Sequence, residues 1–381
     1  MKKQKICFVI PRFDLRESSH YPHIYEGIEE IGKRYEVFLF AETWAGSGDI
    51  SSNVGCYRQR MHVLPLRLLE RFLVFLTLRL AGYKTFYCHY AVVSSLIAKC
   101  VTTLFGGKTY LWLCVKLHLY EQPLNIKNLQ VKLTKDWPWR IALKAIDRLV
   151  TCSEAMKIYF EKSCGVDRRK ILVIPNWINL SRFKKENVST DELRKRFNLN
   201  GKKVVLFLHH LSERKGADRL PDFARLLKTK LGNAQLLIVG GGPLLESLKV
   251  EFRKGTLGDT GTVVGPVPNQ KIPQYLAVAD VLIMPSRTEE FGRVFLEAMA
   301  MEVPIVATDT IGARAVLTKK QQRLLIPQHK ENAVVEKLGS AVATILKNPV
   351  LREELIKEGK TRVKEFEMRK VVSRFAQLVI S

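Results

Sequence analysis

Long hydrophobic runs are missing from this 381-residue chain. The two most apolar stretches, residues 72–78 and 91–97, fall well short of the roughly 20 residues that a membrane-spanning helix needs. Basic side chains border both stretches. No transmembrane helix is therefore predicted, and these stretches are expected to pack on a sheet or lie on a surface. The start, MKKQKICFVIP, enters a strand-like run without a small-residue cleavage site, so no secretory leader is expected.

Closely spaced cysteine pairs are missing as well. The seven cysteines are an odd number, and they show neither a CxxC pair nor metal-ligand spacing. Most lie inside apolar runs, where cysteine behaves as a small hydrophobic residue. We therefore expect reduced thiols, a cytoplasmic location and no bound metal ion. The Asn-x-Ser sequences at Asn179 and Asn187 are then expected to stay unmodified.

Acidic residues are scarce relative to basic ones. The chain has 37 Asp and Glu against 62 Lys and Arg, a formal net charge of +25. Residues 1–185 hold 30 basic and 15 acidic side chains, and residues 186–381 hold 32 and 22, so the first half is the more basic. Nucleic acid, an anionic membrane surface or a phosphate-bearing substrate would each account for this charge. The absence of a nucleic-acid-binding motif and the scatter of basic residues disfavour nucleic acid.

Arginine and leucine are interspersed around the segment 64–80. The cations that flank its leucine-rich stretches are Arg58, Arg60, Arg67, Arg71, Arg79 and Lys84. Peripheral contact with an anionic membrane is one interpretation, because interfacial helices combine apolar and basic side chains in this way. A generic basic face in contact with solvent is the other interpretation.

Strand-like and helix-like patterns alternate along both halves of the chain, which is typical of parallel α/β sheets. In the first half the expected strands are 5–10, 36–40, 85–88, 109–115, 148–151 and 170–174. The expected helices are 23–34, 64–80, 91–104, 137–145 and 153–162. A polar segment with a pre-proline break, residues 175–200, separates this half from a second series that begins with the strand VVLFLHH. A last helix is expected from Arg352 to Ile380.

The segment PSRTEEFGRVFLEAMAM, residues 285–301, is the most informative part of the chain. It places Glu289 and Glu297 eight positions apart around the start of a helix that follows an apolar strand. The N–H groups and dipole of such a helix attract a diphosphate, and Gly292 lacks the Cβ that would keep a phosphate away. Glu297 could accept hydrogen bonds from a ribose diol, and Glu289 from hydroxyl groups beyond the phosphates. An acidic helix start that merely satisfies the dipole is the alternative interpretation.

This pattern resembles the E-x7-E signature of retaining GT-B glycosyltransferases, in particular glycosyltransferase family four. The resemblance continues through residues 204–216, the GGGP turn at 240–243 and VGPVPNQKIPQYLAVADVLIMPS. It implies a GT-B, α/β fold with two Rossmann-like, doubly wound parallel-sheet domains that face each other across a cleft. The implied parts are an acceptor domain, 1–185, a nucleotide-sugar donor domain, 186–360, and a C-terminal helix, 361–381, that crosses back to the first domain. A surface helix of the second domain is the alternative for that last part.

The resemblance also implies the residues that bind the donor. Lys215 corresponds to a phosphate-binding lysine, whereas His210 stands where the family has arginine, so Arg214 is an alternative source of that charge. For Gly241 a tight turn that allows close packing is the favoured alternative. The expected donor-binding residues are His210, Arg214, Lys215, Gly241, Val267, Glu289, Phe291, Gly292, Arg293, Val294 and Glu297.

The first half lacks the Gly-Gly turn that follows the first strand in many relatives, and it has PRFDLRESSHYPHIYEG there. Arg12, Arg16 and His20 in this loop are the expected acceptor-side residues. His118 lies about where the family often keeps a histidine close to the reacting sugar, with Lys116 as the competing position. The expected catalytic residues are Glu289, Lys215 and His118.

The implied reaction is retaining transfer of a hexosyl unit to a saccharide or lipid-linked hydroxyl acceptor in glycan, polysaccharide or glycolipid synthesis. The donor would be a UDP- or GDP-sugar, a co-substrate, with no cofactor. Electrostatic stabilisation of the leaving diphosphate requires no metal. A double displacement with a carboxylate nucleophile is the rival mechanism. The alternative functions are a sugar-nucleotide epimerase, a phosphorylase, or a non-catalytic basic module that binds anionic lipid or nucleic acid.

Overall fold

The chain folds into two compact units. The computed structural model describes residues 3–14, 22–45, 54–116, 137–253, 257, 260–328 and 331–380. The first unit comprises residues 1–175 and 368–381, and the second comprises residues 176–367. Each unit is built on its own parallel sheet. Among the described residues, no helix is both long enough and apolar enough to cross a membrane.

The described residues of the first unit form nine strands. They are β1 Lys5–Ile10, β2 Phe13–Asp14, β3 Glu36–Ala41, β4 Trp44–Ala45, β5 Val54–Arg58, β6 Thr85–His89, β7 Lys108–Trp112, β8 Arg148–Thr151 and β9 Ile171–Val173. Seven of them form a parallel sheet in the order β5-β3-β1-β6-β7-β8-β9, and β2 pairs with β4 separately. Its first helices are α1 Pro22–Gly32, α2 Leu64–Leu80, α3 Val92–Phe105, α4 Trp137–Ala145 and α5 Glu154–Lys162.

The predicted alternation in this half is confirmed, with several boundaries at the predicted residues. Helices α2 and α4 and strands β1 and β8 have the expected limits. Helix α5 begins after Ser153, whose hydroxyl accepts a hydrogen bond from the backbone N–H of Met156 at 3.2 Å, a typical N-cap. Strand β5 was not predicted because VGCYR has no clear apolar alternation, and only its first residue, Val54, is buried.

In the second unit, the part that the structure describes has five strands in one parallel sheet. They are β10 Lys203–Leu208, β11 Ala234–Val239, β12 Gly261–Gly265, β13 Val281–Met284 and β14 Ile305–Ala307. Its helices are α6 Asp191–Arg196, α7 Leu220–Lys230, α8 Leu245–Arg253, α9 Ile272–Ala277, α10 Arg293–Ala300, α11 Ile311–Val316, α12 Lys319–Gln322, α13 Glu331–Lys347 and α14 Pro349–Val363. The strand order is β12-β11-β10-β13-β14. The order therefore reverses between β10 and β13, because the chain first builds outward through β11 and then returns to the other side of β10.

The helix predicted from Arg352 to Ile380 is wrong as a single element. Helix α14 ends at Val363, and a 3-10 turn, Lys364–Phe366, follows it. Glu367 is extended and forms an isolated β-bridge with Ile178, whose backbone N–H donates to the Phe366 carbonyl at 2.9 Å. This bridge interrupts the helix, because backbone that is committed to extended pairing cannot continue helical hydrogen bonding.

The chain after this bridge packs in the first unit. Helix α15 spans Met368–Phe375, and a π-helical turn, Ala376–Ile380, completes it. The buried ring of Phe375 lies 5.7 Å from that of Phe8 in β1 and 4.8 Å from that of Tyr87 in β6. Aromatic packing of this kind holds the C-terminal segment against the first sheet.

The expectation of reduced cysteines is wrong for one pair. Cys114 and Cys152 form a disulfide, with their Cα atoms 5.5 Å apart. They are 38 residues apart in the sequence, but they follow the neighbouring strands β7 and β8. Strand order brings them together, and spacing along the chain does not reveal it. The other five cysteines keep their thiol groups.

We predict that the oxidised protein has five titratable thiols after denaturation and that reduction yields seven. Replacing Cys114 and Cys152 by serine should lower the free energy of unfolding by about 2–4 kcal/mol, the typical contribution of a disulfide. Thiol titration and urea denaturation test both points. Cys100→Ser, at an exposed position, is the matched control and should leave stability nearly unchanged. Seven thiols in the oxidised protein would contradict the pairing.

Candidate active site

The carboxyl ends of β10 and β13 lie side by side where the strand order of the second sheet reverses. Open α/β sheets bind ligands outside the carboxyl ends of their strands at such a point. The loops 209–216 and 285–292 both begin there. The backbone N–H of Arg287 donates to the Arg214 carbonyl at 2.9 Å, and the Arg219 guanidinium donates to the Pro285 carbonyl at 2.7 Å. These bonds join the two loops into one framework.

A buried carboxylate, that of Glu289, lies where these loops meet. Lys215 Nζ donates to Glu289 Oε2 at 2.6 Å, and His209 Nε2 lies 3.2 Å from the same oxygen. Lys215 Nζ also lies 3.4 Å from the Thr288 carbonyl. Glu289 is 8% exposed and Lys215 only 3%. The Lys215 and Glu289 charges therefore stabilise each other, because a buried charge without a partner strongly destabilises the folded protein.

The backbone orients the imidazole of His209. The N–H of His210 donates to His209 Nδ1 at 2.7 Å, so Nδ1 is the acceptor and Nε2 carries the proton of the neutral ring. Burial lowers the pKa of His209, and the hydrogen bond and charge of Glu289 only partly oppose that effect. At neutral pH His209 therefore donates to Glu289 as a neutral group.

Glu289 is held in its ionised form. Burial alone would raise its pKa, but the hydrogen bonds from His209 and Lys215, together with the positive charge of Lys215, outweigh burial and hold the pKa well below its usual value. An ionised carboxylate accepts hydrogen bonds and donates none. The site thus presents a fixed acceptor suited to a ligand with hydroxyl groups.

Helix α10 begins immediately after the second loop, at Gly292. This glycine is the N-cap, with a left-handed φ of 74°, and an added Cβ would lie 2.5 Å from the Phe295 ring. Backbone conformation and packing therefore both favour glycine here, in addition to any close approach of a phosphate. Glu297 lies in the second turn of α10, where its carboxylate is 3.6 Å from the Arg293 guanidinium.

The glycine run after β11 packs against the first of the two loops. The N–H of Leu211 donates to the Gly241 carbonyl at 2.9 Å. A Cβ on Gly240, whose φ is 145°, would lie 1.8 Å from the carbonyl oxygen of His209. Glycine at position 240 allows the two backbones to approach each other closely. Pro266, next to Val267 in a third loop, lies beside Gly241.

Other residues that were predicted to bind the sugar donor lie on the same two loops and at the start of α10. His210 is exposed, and its N–H holds the His209 ring. The half-exposed Arg214 guanidinium lies 3.4 Å from a Glu290 oxygen. Phe291 and Val294 are buried, and the Phe291 ring packs edge-on against Phe366 at 5.8 Å. Their side chains fix the backbone at the start of α10.

Four site residues were predicted in the first unit. His118, Arg16 and His20 lie outside the described residues. Arg12 is described, and its guanidinium lies 3.1 Å from the buried carboxylate of Asp14, just beyond the end of β1. The acceptor-side role of Arg12, Arg16 and His20 and the catalytic role of His118 stay predictions.

His209 was not predicted, although it contacts Glu289 directly. The pattern of the family drew attention to His210 instead. A signal was nevertheless present, because His209 is the first residue after the buried strand β10 and so lies at the carboxyl edge where α/β sheets bind ligands.

Two family models match consecutive parts of the chain. The model described as Glycosyltransferase Family 4 matches residues 23–182, and the model described as Glycosyl transferases group 1 matches residues 189–362. Together they cover most of both units. The chain therefore belongs to the glycosyltransferase group 1, family 4 proteins.

Parts of the chain are similar in sequence to individual proteins of known activity. The chain is 33% identical over 180 residues to the GDP-mannose-dependent alpha-(1-6)-phosphatidylinositol monomannoside mannosyltransferase of Mycobacterium tuberculosis, a match covering 45% of this chain and 46% of that protein. It is 26% identical over 241 residues to the 2-deoxystreptamine glucosyltransferase of Streptomyces kanamyceticus, covering 62% and 60% of the two chains. The chain thus matches only about half the length of these curated relatives.

Solved structures share the fold. Sucrose-phosphate synthase from Thermosynechococcus elongatus matches with a TM-score of 0.77 and 19% identity over 99% of this chain and 98% of that one. Anabaena HepE in complex with UDP and glucose matches with a TM-score of 0.72 and 16% identity over 98% and 99%. The two parallel sheets are therefore those of a GT-B fold.

The buried ion pair generates a first prediction for the site. Lys215→Met should lower the free energy of unfolding by about 3–5 kcal/mol, because Glu289 would remain as a buried charge without its partner. The double variant Lys215→Met/Glu289→Gln should recover much of that loss. Urea denaturation of the wild type, Lys215→Met, Glu289→Gln and the double variant measures the coupling.

The control for this cycle is Arg214→Met. Its half-exposed pair with Glu290 should contribute at most about 1 kcal/mol, as surface ion pairs do. A loss in the double variant equal to the sum of the losses in Lys215→Met and in Glu289→Gln would show that the pair is not coupled.

A second prediction concerns pH. The pKa of Glu289 is lowered by folding, so its ionised form stabilises the protein above the unfolded-state pKa of about 4.3, and this contribution is lost as the pH falls from there toward the folded-state pKa. The wild type should therefore lose more stability than Glu289→Gln between about pH 5 and pH 3. Denaturation series at matched pH values measure the difference, and parallel curves would contradict it.

Proposed function

We propose that this chain is a retaining glycosyltransferase that moves a hexosyl unit from a nucleotide-diphosphate sugar to a hydroxyl acceptor. The observation that carries the proposal is the buried Lys215–Glu289 pair at the switch point of the second sheet, next to the start of α10. This arrangement combines a fixed hydroxyl acceptor with groups that attract phosphate. Membership in the glycosyltransferase family supports the same class of reaction.

In this proposal the donor diphosphate lies at the N-terminus of α10. The backbone N–H groups and dipole there stabilise negative charge as the bond to the sugar breaks. An ammonium has three donor hydrogens, and the described contacts of Lys215 engage Glu289 and Thr288. We assign the third to a phosphate oxygen. His210 and Arg214 are the further cations proposed near the diphosphate.

The two glutamates then bind different parts of the donor. Glu289, fixed by His209 and Lys215, would accept hydrogen bonds from hydroxyl groups of the transferred sugar. Glu297, one turn into α10, would accept them from the ribose. Because His209 holds Glu289 without touching the donor in this proposal, it is a positioning residue.

The proposed donors are UDP- or GDP-sugars, and the proposed acceptors are saccharides or lipid-linked hydroxyl compounds. The name of the mycobacterial relative joins GDP-mannose to a phosphatidylinositol acceptor, and the Anabaena structure contains UDP and glucose. Acceptor binding in the first unit would involve Arg12, Arg16 and His20, with His118 near the reacting sugar. A cytoplasmic position on an anionic membrane is the remaining part of the proposal, supported by the net charge of +25.

Thermal stabilisation by UDP, GDP and ADP, each with and without a hexosyl group, tests the proposal. One nucleotide series should stabilise the protein, by about 2.7 kcal/mol at a ligand concentration of 100 times Kd. Glu289→Gln should lose the additional effect of the sugar but keep that of the bare nucleotide. Glu297→Ala should weaken both.

Glu246→Ala is the matched control, because this carboxylate is exposed and pairs only with Lys249 in the adjacent turn among its described contacts. It should respond to every ligand like the wild type. Transfer itself is measured by release of the nucleoside diphosphate in the presence of candidate acceptors, with the product anomer determined by NMR. No stabilisation by any nucleotide, or the same response in both glutamate variants, would contradict these assignments.

A further inference from the structure

Helix α2 exposes a stripe of leucines. Leu66, Leu69, Leu73 and Leu80 are 48%, 53%, 51% and 71% exposed. Their spacings of three, four and seven residues put them on one side of the helix. Leu64 at the start of the helix is exposed as well. An exposed apolar row of this length indicates an interaction surface for a protein or a membrane.

The opposite side of α2 faces the interior. Phe75 and Leu78 are buried there. Glu70, the only carboxylate in this helix, also points inward, where it accepts hydrogen bonds from the Tyr57 hydroxyl at 2.9 Å and from the N–H groups of Arg60 and Met61 at 2.8 and 3.0 Å. The outer side of α2 therefore carries leucines and no carboxylate.

The apolar row continues beyond α2. The Arg79 guanidinium donates a hydrogen bond of 2.6 Å to the Phe105 carbonyl, which lies at the end of α3. The side chains of Leu104 and Phe105 are exposed there. The exposed Lys84 lies next to Lys108, whose N–H donates to the Lys84 carbonyl at 2.8 Å. Apolar and basic groups thus adjoin each other at this end of the helix.

The cation Arg71, which was predicted for this surface, does not belong to it. Arg71 is only 4% exposed. Its guanidinium lies 3.3 Å from Glu42 and donates to Gln59 Oε1 at 2.9 Å. It turns inward because its position on the helix is one residue from the inward-facing Glu70, so its charge stabilises the unit internally.

We propose that the α2 surface, defined by Leu64, Leu66, Leu69, Leu73, Leu80 and Phe105, docks on an anionic lipid membrane. The helix has 17 residues and is about 25 Å long, so it would lie along the surface and not span it. The leucines enter the boundary between headgroups and acyl chains, and Arg60, Lys84 and Lys108 contact the headgroups. The inference deepens the proposed membrane partner, and it does not depend on the transfer reaction.

Charge complementarity favours a membrane over a second copy of this chain. Two copies that met through this surface would each bring basic groups and a net charge of +25, without a carboxylate from the outer side of α2 to offset them. An anionic leaflet supplies the opposite charge. Docking would also keep the enzyme where a lipid-linked acceptor resides.

Vesicle flotation tests the surface. Wild-type protein should float with phosphatidylcholine vesicles that contain about 30% phosphatidylglycerol and bind pure phosphatidylcholine at least about tenfold more weakly. Leu69→Gln/Leu73→Gln should reduce binding by about tenfold or more, because both leucines lie on the outer side. Lys84→Gln/Lys108→Gln should reduce mainly the preference for anionic vesicles and its sensitivity to salt.

The matched control is Val250→Gln/Val350→Gln, which removes two exposed apolar side chains from the second unit. It should float like the wild type, and thermal unfolding should show all variants folded. Equal flotation of the leucine variant and the wild type would overturn the proposal, as would a leucine-dependent dimer without vesicles in analytical ultracentrifugation. Nucleotide-induced stabilisation of the leucine variant, measured without lipid, should equal that of the wild type, so a failure of docking is distinguishable from a failure of donor binding.

Discussion

The ion pair between Lys215 and Glu289 is the constraint on which the arrangement of the second unit depends. Two opposite charges almost fully removed from water are stable only when each is held against the other and hydrogen-bonded. The two loops that carry them are therefore joined by backbone bonds, and His209 completes the set of donors around the carboxylate. The result is a site whose polar groups are oriented before any ligand arrives, which is the condition for effective electrostatic catalysis.

Close backbone approach is the second requirement of this site. Parallel strands deliver their loops to one edge of the sheet, but the loops can touch only where side chains are absent. Gly240 and Gly292 meet this requirement in different ways: the first lets one backbone pass another, and the second adopts a left-handed conformation at the start of α10. Exchanging either for a larger residue would displace the groups that face the proposed donor.

Much of the architecture was predictable because it depends on local patterns. Apolar periodicity located the main helices and strands, and the spacing of Glu289 and Glu297 drew attention to the loop at the carboxyl edge of the second sheet. Features that depend on contacts between distant segments were not predictable. Cys114 pairs with Cys152 only because β7 and β8 are neighbours, and the last helix breaks only because Ile178 bridges Glu367. His209 belongs to the same group, since its contact with Glu289 spans 80 residues of sequence.

The sequence by itself determined the fold class, the family and the chemical character of the chain, because these depend on periodicity, motif spacing and composition. It already contained Lys215, Glu289 and an excess of positive charge. Tertiary structure decided how those charges are used. Folding buries Arg71 and Glu70 inside the first unit and leaves one row of leucines of α2 exposed, and it sets Lys215 and His209 on one oxygen of Glu289. Burial and pairing are properties of position in space, and residues far apart in the chain acquire them only when the sheets form.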